Sequence, residues 1–292
     1  MKLGSNDISS VYLGTNGVSK VYLGSTEVWS AVDPDAQAFF DRVTTAGGTL
    51  SATEQTAVNT LVVQMKADGI WSKMKAIYPM VGASAAACAQ NLKSSSFTGT
   101  FNGGWTFSST GATPNGTSGY MDTGLSPNTT LINYSNHISY YSRTNTNTSS
   151  GNGVDIGVSG LASASYLPIA FFRSRTTDQM QTGLYDYSTP IVLNTSNTSS
   201  LGLFVGNRTS NVVVNSWKNG IKQGTNTSTE TKDITSITLS FYISSLNLDG
   251  NAAQFSNREC AFASIGDGIT DTEASDFYTA VQAFQTTLSR QV

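Results

Sequence analysis

The residues that could carry out catalysis in this chain are few and scattered. Between Phe97 and Gly266 the acids are Asp122, Asp155, Asp178, Asp186, Glu230, Asp233, Asp249 and Glu259. Cleaving a glycoside needs two carboxylates held about 5–9.5 Å apart across the sugar bond. Residues i and i+2 of a β-strand share a face, so Glu-x-Asp-x-Glu is the economical arrangement; the chain has no such run, which leaves only acids on distant strands to pair. The one histidine, His137, stands in Asn136-His137-Ile138-Ser139-Tyr140, which reads as a strand start. Any Ser-His-Asp triad would have to use it. Asn102-Gly103-Gly104 precedes a strand rather than a helix, so it is no phosphate loop. Cys88 and Cys260 read as free buried thiols, with a disulfide as the alternative; with one histidine they do not make a zinc site. Asp249-Gly250-Asn251 carries oxygen ligands of the kind calcium takes, but Asp-Gly is first of all a turn signal. The expectation is a protein that is not an enzyme, with no catalytic residue, no metal and no cofactor.

Residues suited to recognition are easier to find. Glycans are held on exposed aromatic rings with amides and arginines nearby. Arg173 and Arg175, and Tyr185 and Tyr187, have suitable types, whereas Trp105 and Trp217 read as core. Of the 292 residues 38% are hydrophobic, enough for a sizeable core, and only 12% are charged. A typical globular chain carries roughly 25% charge, so the polar surface here is mostly Ser, Thr, Asn and Gly. The net charge is −3, and the 16 Lys and Arg are scattered, which excludes the basic face that nucleic-acid binding requires. No apolar run approaches the roughly 20 residues that span a bilayer. Met1 to Ser5 lacks a signal-peptide core, so the chain is expected to stay in the cytoplasm where it is made until assembly or lysis.

Two kinds of element would position these residues. From about Phe97 to Gly266, short strands are expected around Trp105–Phe107, Ile138–Tyr141, Ile169–Phe172, Leu201–Gly206, Val212–Trp217, Ile237–Ile243 and Cys260–Ile265. Asn219-Gly220 between apolar runs is a hairpin signal. So many short strands predict a mainly β, two-sheet sandwich or jelly roll. Helices are expected after Asp33-Pro34, a cap followed by proline, and after Ser51-Ala52-Thr53-Glu54 and Thr270-Asp271-Thr272-Glu273, both capping boxes. A third short helical segment is read through Trp71, Met74, Ile77 and Tyr78.

The clearest pattern is a ten-residue repeat: Ser5 to Gly14, then Thr15 to Gly24, then a partial copy from Ser25 to Trp29. In each unit Gly-[Ser/Thr]-[Asn/Thr] reads as a turn, and Ile8 to Leu13 as a strand. Such small units bury their faces only on neighbours, and isolated strands cannot enclose a core. Leu3, Ile8, Tyr12, Leu13, Val18, Tyr22, Leu23, Val28 and Trp29 are therefore read as an assembly surface.

Three stretches resemble known families. Val21 to Trp29 resembles the N-terminal repeats of bacteriophage fiber and other virion proteins. Leu203 to Thr209, with Trp217-Lys218-Asn219-Gly220, resembles the concanavalin-like or laminin-G-like jelly roll. Phe262 to Asp271, with Glu273 and the helix that follows, resembles the closing segment of such modules in phages of Bacteroidetes hosts. The resemblance implies a virion structural protein: a head or tail fiber, spike or capsid decoration subunit, commonly a homotrimer, exposed on the phage particle. Its partners would be capsid or tail proteins and host-surface glycans. Residues 1–31 would be the virion-anchoring β-repeat segment, 32–92 a helical linker module, and 93–292 the jelly-roll domain with its C-terminal helix. A carbohydrate-active enzyme or lectin on the same concanavalin-like fold is the alternative.

Overall fold

A strand buried on both faces loses the alternation of apolar and polar residues. Asn136–Ser142 and Cys260–Gly266 are such strands, buried at every position, and they lie side by side at the centre of the first of two sheets. The structure is a computed structural model; it describes residues 2–3, 6–7, 10–13, 15–18, 20–23, 26–149, 152–160, 169–184, 192–227 and 237–292.

Among the described residues the first sheet has eight strands, in the order Ile221–Asn226, Val213–Lys218, Gly202–Ser210, Asn136–Ser142, Cys260–Gly266, Gly111–Pro114 and Trp105–Ser108, with Met74–Tyr78 also paired to Cys260–Gly266. The second has nine, including Leu193–Ser196, Gln179–Leu184, Ile169–Thr176, Ile156–Ser159, Tyr242–Ile243, Tyr120–Asp122 and Thr100–Asn102 in that order. Among the described strands pairing is antiparallel except where Leu246–Leu248 runs parallel to Ile156–Ser159. The inner faces meet in one core of Ile138, Tyr140, Phe204 and Ile265 against Ile156, Val158, Phe172 and Met180. The rings of Phe172 and Phe204 are 5.8 Å apart across that gap. This is the expected mainly β jelly-roll sandwich.

Five helices accompany the sheets among the described residues: α1 (Pro34–Thr45), α2 (Ala52–Ala67), α3 (Ala85–Cys88), α4 (Pro127–Thr130) and α5 (Asp271–Thr287). Both expected capping boxes are present, at Ser51–Glu54 and Thr270–Glu273, and Asp33 caps α1. The apolar stripes of α1, α2 and α5 pack together on the outer face of the first sheet, over Tyr141, Leu203, Val205, Trp217 and Phe262. Arg290, fully buried just after α5, fastens that layer down by donating to the carbonyls of Pro79, Met80 and Ala261 at 2.6–2.8 Å.

Several local expectations are corrected. Of the third helical segment only Trp71–Lys73 is helical, as one 3-10 turn, and Met74–Tyr78 is a strand. It lies between the helical layer and the sandwich core, so its residues are apolar on both sides and their spacing mimics a helix. Of Ile237–Ile243 only Tyr242–Ile243 is a strand. The repeat forms three antiparallel hairpins, Lys2–Leu3 with Asn6–Asp7, Val11–Leu13 with Asn16–Val18, and Lys20–Leu23 with Thr26–Ser30, rather than one strand per unit. Asn16, read from sequence as part of the turn, is paired with Leu13.

Candidate functional site

The helical layer covers one face of the sandwich, and among the described residues no long helix lies on the outer face of the second sheet. The pleat sends alternate residues there. Met121 and Ile243 point into the core, so Tyr120, Asp122 and Tyr242 point outward. Thr100, Asp122 and Tyr242 form one cross-strand row, and Asn102 and Tyr120 the adjacent one. The two tyrosine rings stack, with centroids 4.5 Å apart and planes inclined by 26°. Tyr242 is largely covered, at 7% exposure, and Tyr120 is half-buried. Neither phenol hydroxyl has a protein partner among the described residues.

Asp122 completes the group. Its Oδ1 accepts from the Ser240 hydroxyl at 2.5 Å and from the Gly124 N–H at 2.9 Å. Its Oδ2 is uncommitted, and no ion pair reaches it among the described residues. Burial, then Asp122 and Tyr120, raise the Tyr242 phenol above its usual range, keeping it a hydrogen-bond donor. Two stacked rings beside an unpaired carboxylate can hold the apolar face of a sugar ring while accepting from its hydroxyls.

The sequence-read residues fall elsewhere on the same sheet. Arg173 donates to Gln181 Oε1 at 2.8 Å and to Gln254 Oε1, and its guanidinium lies 4.6 Å from the Phe171 ring. Phe171 is 2% exposed and lies across Gly183, where a Cβ would meet the ring at 2.4 Å; it is covered and offers no platform. Arg175 is held by Asp178 at 2.6 Å and Asn145 at 2.9 Å. Tyr185 and Tyr187 lie outside the described residues.

Most other chemistry-bearing groups are committed. His137 is fully buried, its Nδ1 2.6 Å from the Asp267 carbonyl and its Nε2 3.2 Å from the Ser264 hydroxyl. Burial lowers its pKa to about 4, so the ring stays neutral. Asp155 pairs with Arg258 at 2.9 Å, both fully buried, and Glu259 pairs with Arg143 at 3.0 Å. Cys88 and Cys260 are free and buried. Asp249-Gly250, with φ of 53° and 81°, is the tight turn between Leu246–Leu248 and Asn251–Ala253. Among the described residues no cluster of three or more potential metal ligands occurs, and no helix is long and apolar enough to cross a membrane. A cleft of about 480 Å³ at the start of α2 is lined by Ser51, Glu54, Gly82, Ser109 and Ser289. It has no aromatic wall, and Glu54 is taken by Ser51 and the Gly82 N–H.

At the N-terminus Leu13 and Leu23, equivalent in the repeat, are 77% and 76% exposed, while Val18 is half-buried. Leu3, Tyr12, Tyr22, Val28 and Trp29 sit in the hairpin strands, and Ile8 lies outside the described residues.

No protein-family model matches the chain, and no curated protein does. Among solved structures it is similar to that of botulinum neurotoxin type C, at 11% identity and a TM-score of 0.52, over 74% of this chain and 53% of that one, about half the toxin chain's length. It is also similar to domain 4 of AbnA, an extracellular arabinanase from Geobacillus stearothermophilus, with arabinotriose bound (16% identity, 70% of this chain and 98% of that one, TM-score 0.45). A third is a Trypanosoma rangeli sialidase mutant (9% identity, 77% and 39%, TM-score 0.48). At such identities the likeness concerns fold alone: the chain is a two-sheet β-sandwich of the jelly-roll class.

Proposed function

We propose that this protein is a non-enzymatic glycan-binding surface protein that holds sugars on the Tyr120–Tyr242 platform. The observation that carries the reading is the stacked pair beside Asp122, which has no ion-pair partner among the described residues. The neurotoxin with the same fold enters cells in dependence on two ganglioside molecules, and the arabinanase domain was seen with arabinotriose; both are compatible with this role, though the residues carry the argument. Against catalysis stand the ion-paired Asp155, Asp178 and Glu259 and the buried His137. A glycan array probed with the full chain tests the reading, with sugar-release assays on every ligand found. Binding without turnover is expected; an array with no ligand would overturn it.

The N-terminal hairpins fit an anchoring role in the same proposal. Two-stranded hairpins are marginal alone, and their exposed leucines recur at one position of the repeat. With the resemblance of Val21 to Trp29 to phage virion repeats, this supports a fiber, spike or decoration subunit, trimeric and attached to capsid or tail, on the particle surface. A carbohydrate-active enzyme is the second reading, favoured by the uncommitted Oδ2 of Asp122; it needs a partner acid within about 5–9.5 Å.

A further inference from the structure

We propose that the Tyr120 face selects neutral glycans over acidic ones; this rests on the reading of that face as the sugar platform. A carboxylate only accepts hydrogen bonds. Asp122 shares a cross-strand row with Tyr242, directly beside the ring stack, and keeps one oxygen uncommitted. A sugar lying on Tyr120 therefore meets an acceptor that its hydroxyls can satisfy. A uronate, sialate or sulfate meets like charge there.

Among the described residues no nearby cation reverses that charge. None pairs with Asp122 among the described residues. The arginines of the same sheet, Arg173 and Arg175, sit on Ile169–Thr176, which Ile156–Ser159 separates from Tyr242–Ile243. That puts their strand about 10 Å from Tyr242–Ile243 and about 14 Å from the strand of Asp122 at the ordinary strand spacing. Their guanidiniums are engaged by Gln181, Gln254, Asp178 and Asn145. Burial, Asp122 and Tyr120 all raise the Tyr242 phenol, as a negatively charged neighbourhood does. The chain's net charge of −3 acts in the same direction.

The test is calorimetric titration of the full chain with matched oligosaccharides: lactose against 3′-sialyllactose, and galactotriose against trigalacturonic acid, at low and at moderate salt. Binding of at least one neutral sugar is expected, with its acidic partner about tenfold weaker or more. The gap should narrow as salt shortens the screening length. Asp122→Asn should weaken the neutral sugar about tenfold and shrink the neutral-to-acidic ratio. Acidic partners that bind equally or better, or a ratio that Asp122→Asn leaves unchanged, would overturn selectivity while leaving the platform standing. If Tyr120→Ala leaves every affinity untouched, or no sugar binds, the platform reading fails and this inference fails with it.

Discussion

Asp122 stands directly opposite Tyr242 across an antiparallel strand pair, while Tyr120, two residues from Asp122 on the same strand, lays its ring on Tyr242. Carboxylate and ring stack are thus fixed by sheet register rather than by a loop. Backbone pairing holds them, so the site is pre-ordered before a ligand arrives. Ordering groups in advance lowers the entropic cost of binding.

Removing the support should cost affinity, and some stability as well because Tyr242 is largely covered. Tyr242→Ala takes away the ring under Tyr120, and aromatic pairs contribute about 0.5–1.5 kcal/mol beyond burial. A three- to tenfold loss of glycan affinity is expected. Unchanged circular dichroism with that loss would show a positioning role; a lost melting transition would show a structural one.

His137 should remain neutral in the folded protein down to about pH 4. Its ordinary pKa is near 6.5, so the unfolded chain binds the proton first. Stability from this group is full above about pH 6.5 and falls as pH drops toward 4, by about 3 kcal/mol in the limit. Because the chain has one histidine, its NMR resonances report this without ambiguity. A midpoint near 6.5 in the native protein would contradict the buried geometry.

The Asp155–Arg258 pair is fully buried, and Arg258 also donates to the carbonyls of Gly153, Thr146 and Arg175. Deleting one partner of such a pair costs about 3–5 kcal/mol, because the other charge is left buried and alone. Asp155→Ala should therefore lower the denaturation midpoint sharply. A shift within error would mean the pair is solvated.

Cys88 and Cys260 are free, and burial pushes the Cys88 thiol up to about 12 and Cys260 higher still. Thiolate is the reactive form. Native protein should leave both untouched by a thiol reagent over hours, with both reacting after denaturation. Rapid labelling of the native chain would place a thiol at the surface.

Much of the scaffold was legible in the sequence, for reasons local to the residues. Ser51-Glu54 and Thr270-Glu273 satisfy their own helix ends, and Asn219-Gly220 adopts the positive φ of 49° and 74° that a tight hairpin demands. Signals of that kind need no tertiary contact. Short strands such as Tyr120–Asp122 and Gly111–Pro114 went unread because three or four residues carry almost no periodicity. The platform was invisible for a further reason: Tyr120 and Tyr242 meet only through sheet register. The one local hint is Tyr120-Met121-Asp122, in which an apolar residue sits between two outward polar ones. Arg173 and Arg175 had the right types, but Gln181, Gln254, Asp178 and Asn145 occupy their donors, a fact that spacing does not encode.

Deleting residues 1–30 should leave the sandwich folded with unchanged melting and unchanged sugar affinity, because the sandwich core and the helical layer draw all their residues from beyond that segment. Under the proposed virion role, incorporation into particles should be abolished, read by immunoblot of purified virions. Normal incorporation of the truncated chain would contradict the anchoring role.

The most direct measurement is a binding isotherm for the best neutral oligosaccharide with the intact protein and with Tyr120→Ala. Saturable binding by the intact chain is predicted, with at least a tenfold loss in Tyr120→Ala while a cooperative melting transition is kept, lowered by several degrees for the lost ring pair. Equal affinity in the two proteins would contradict the Tyr120–Tyr242 platform as the glycan site.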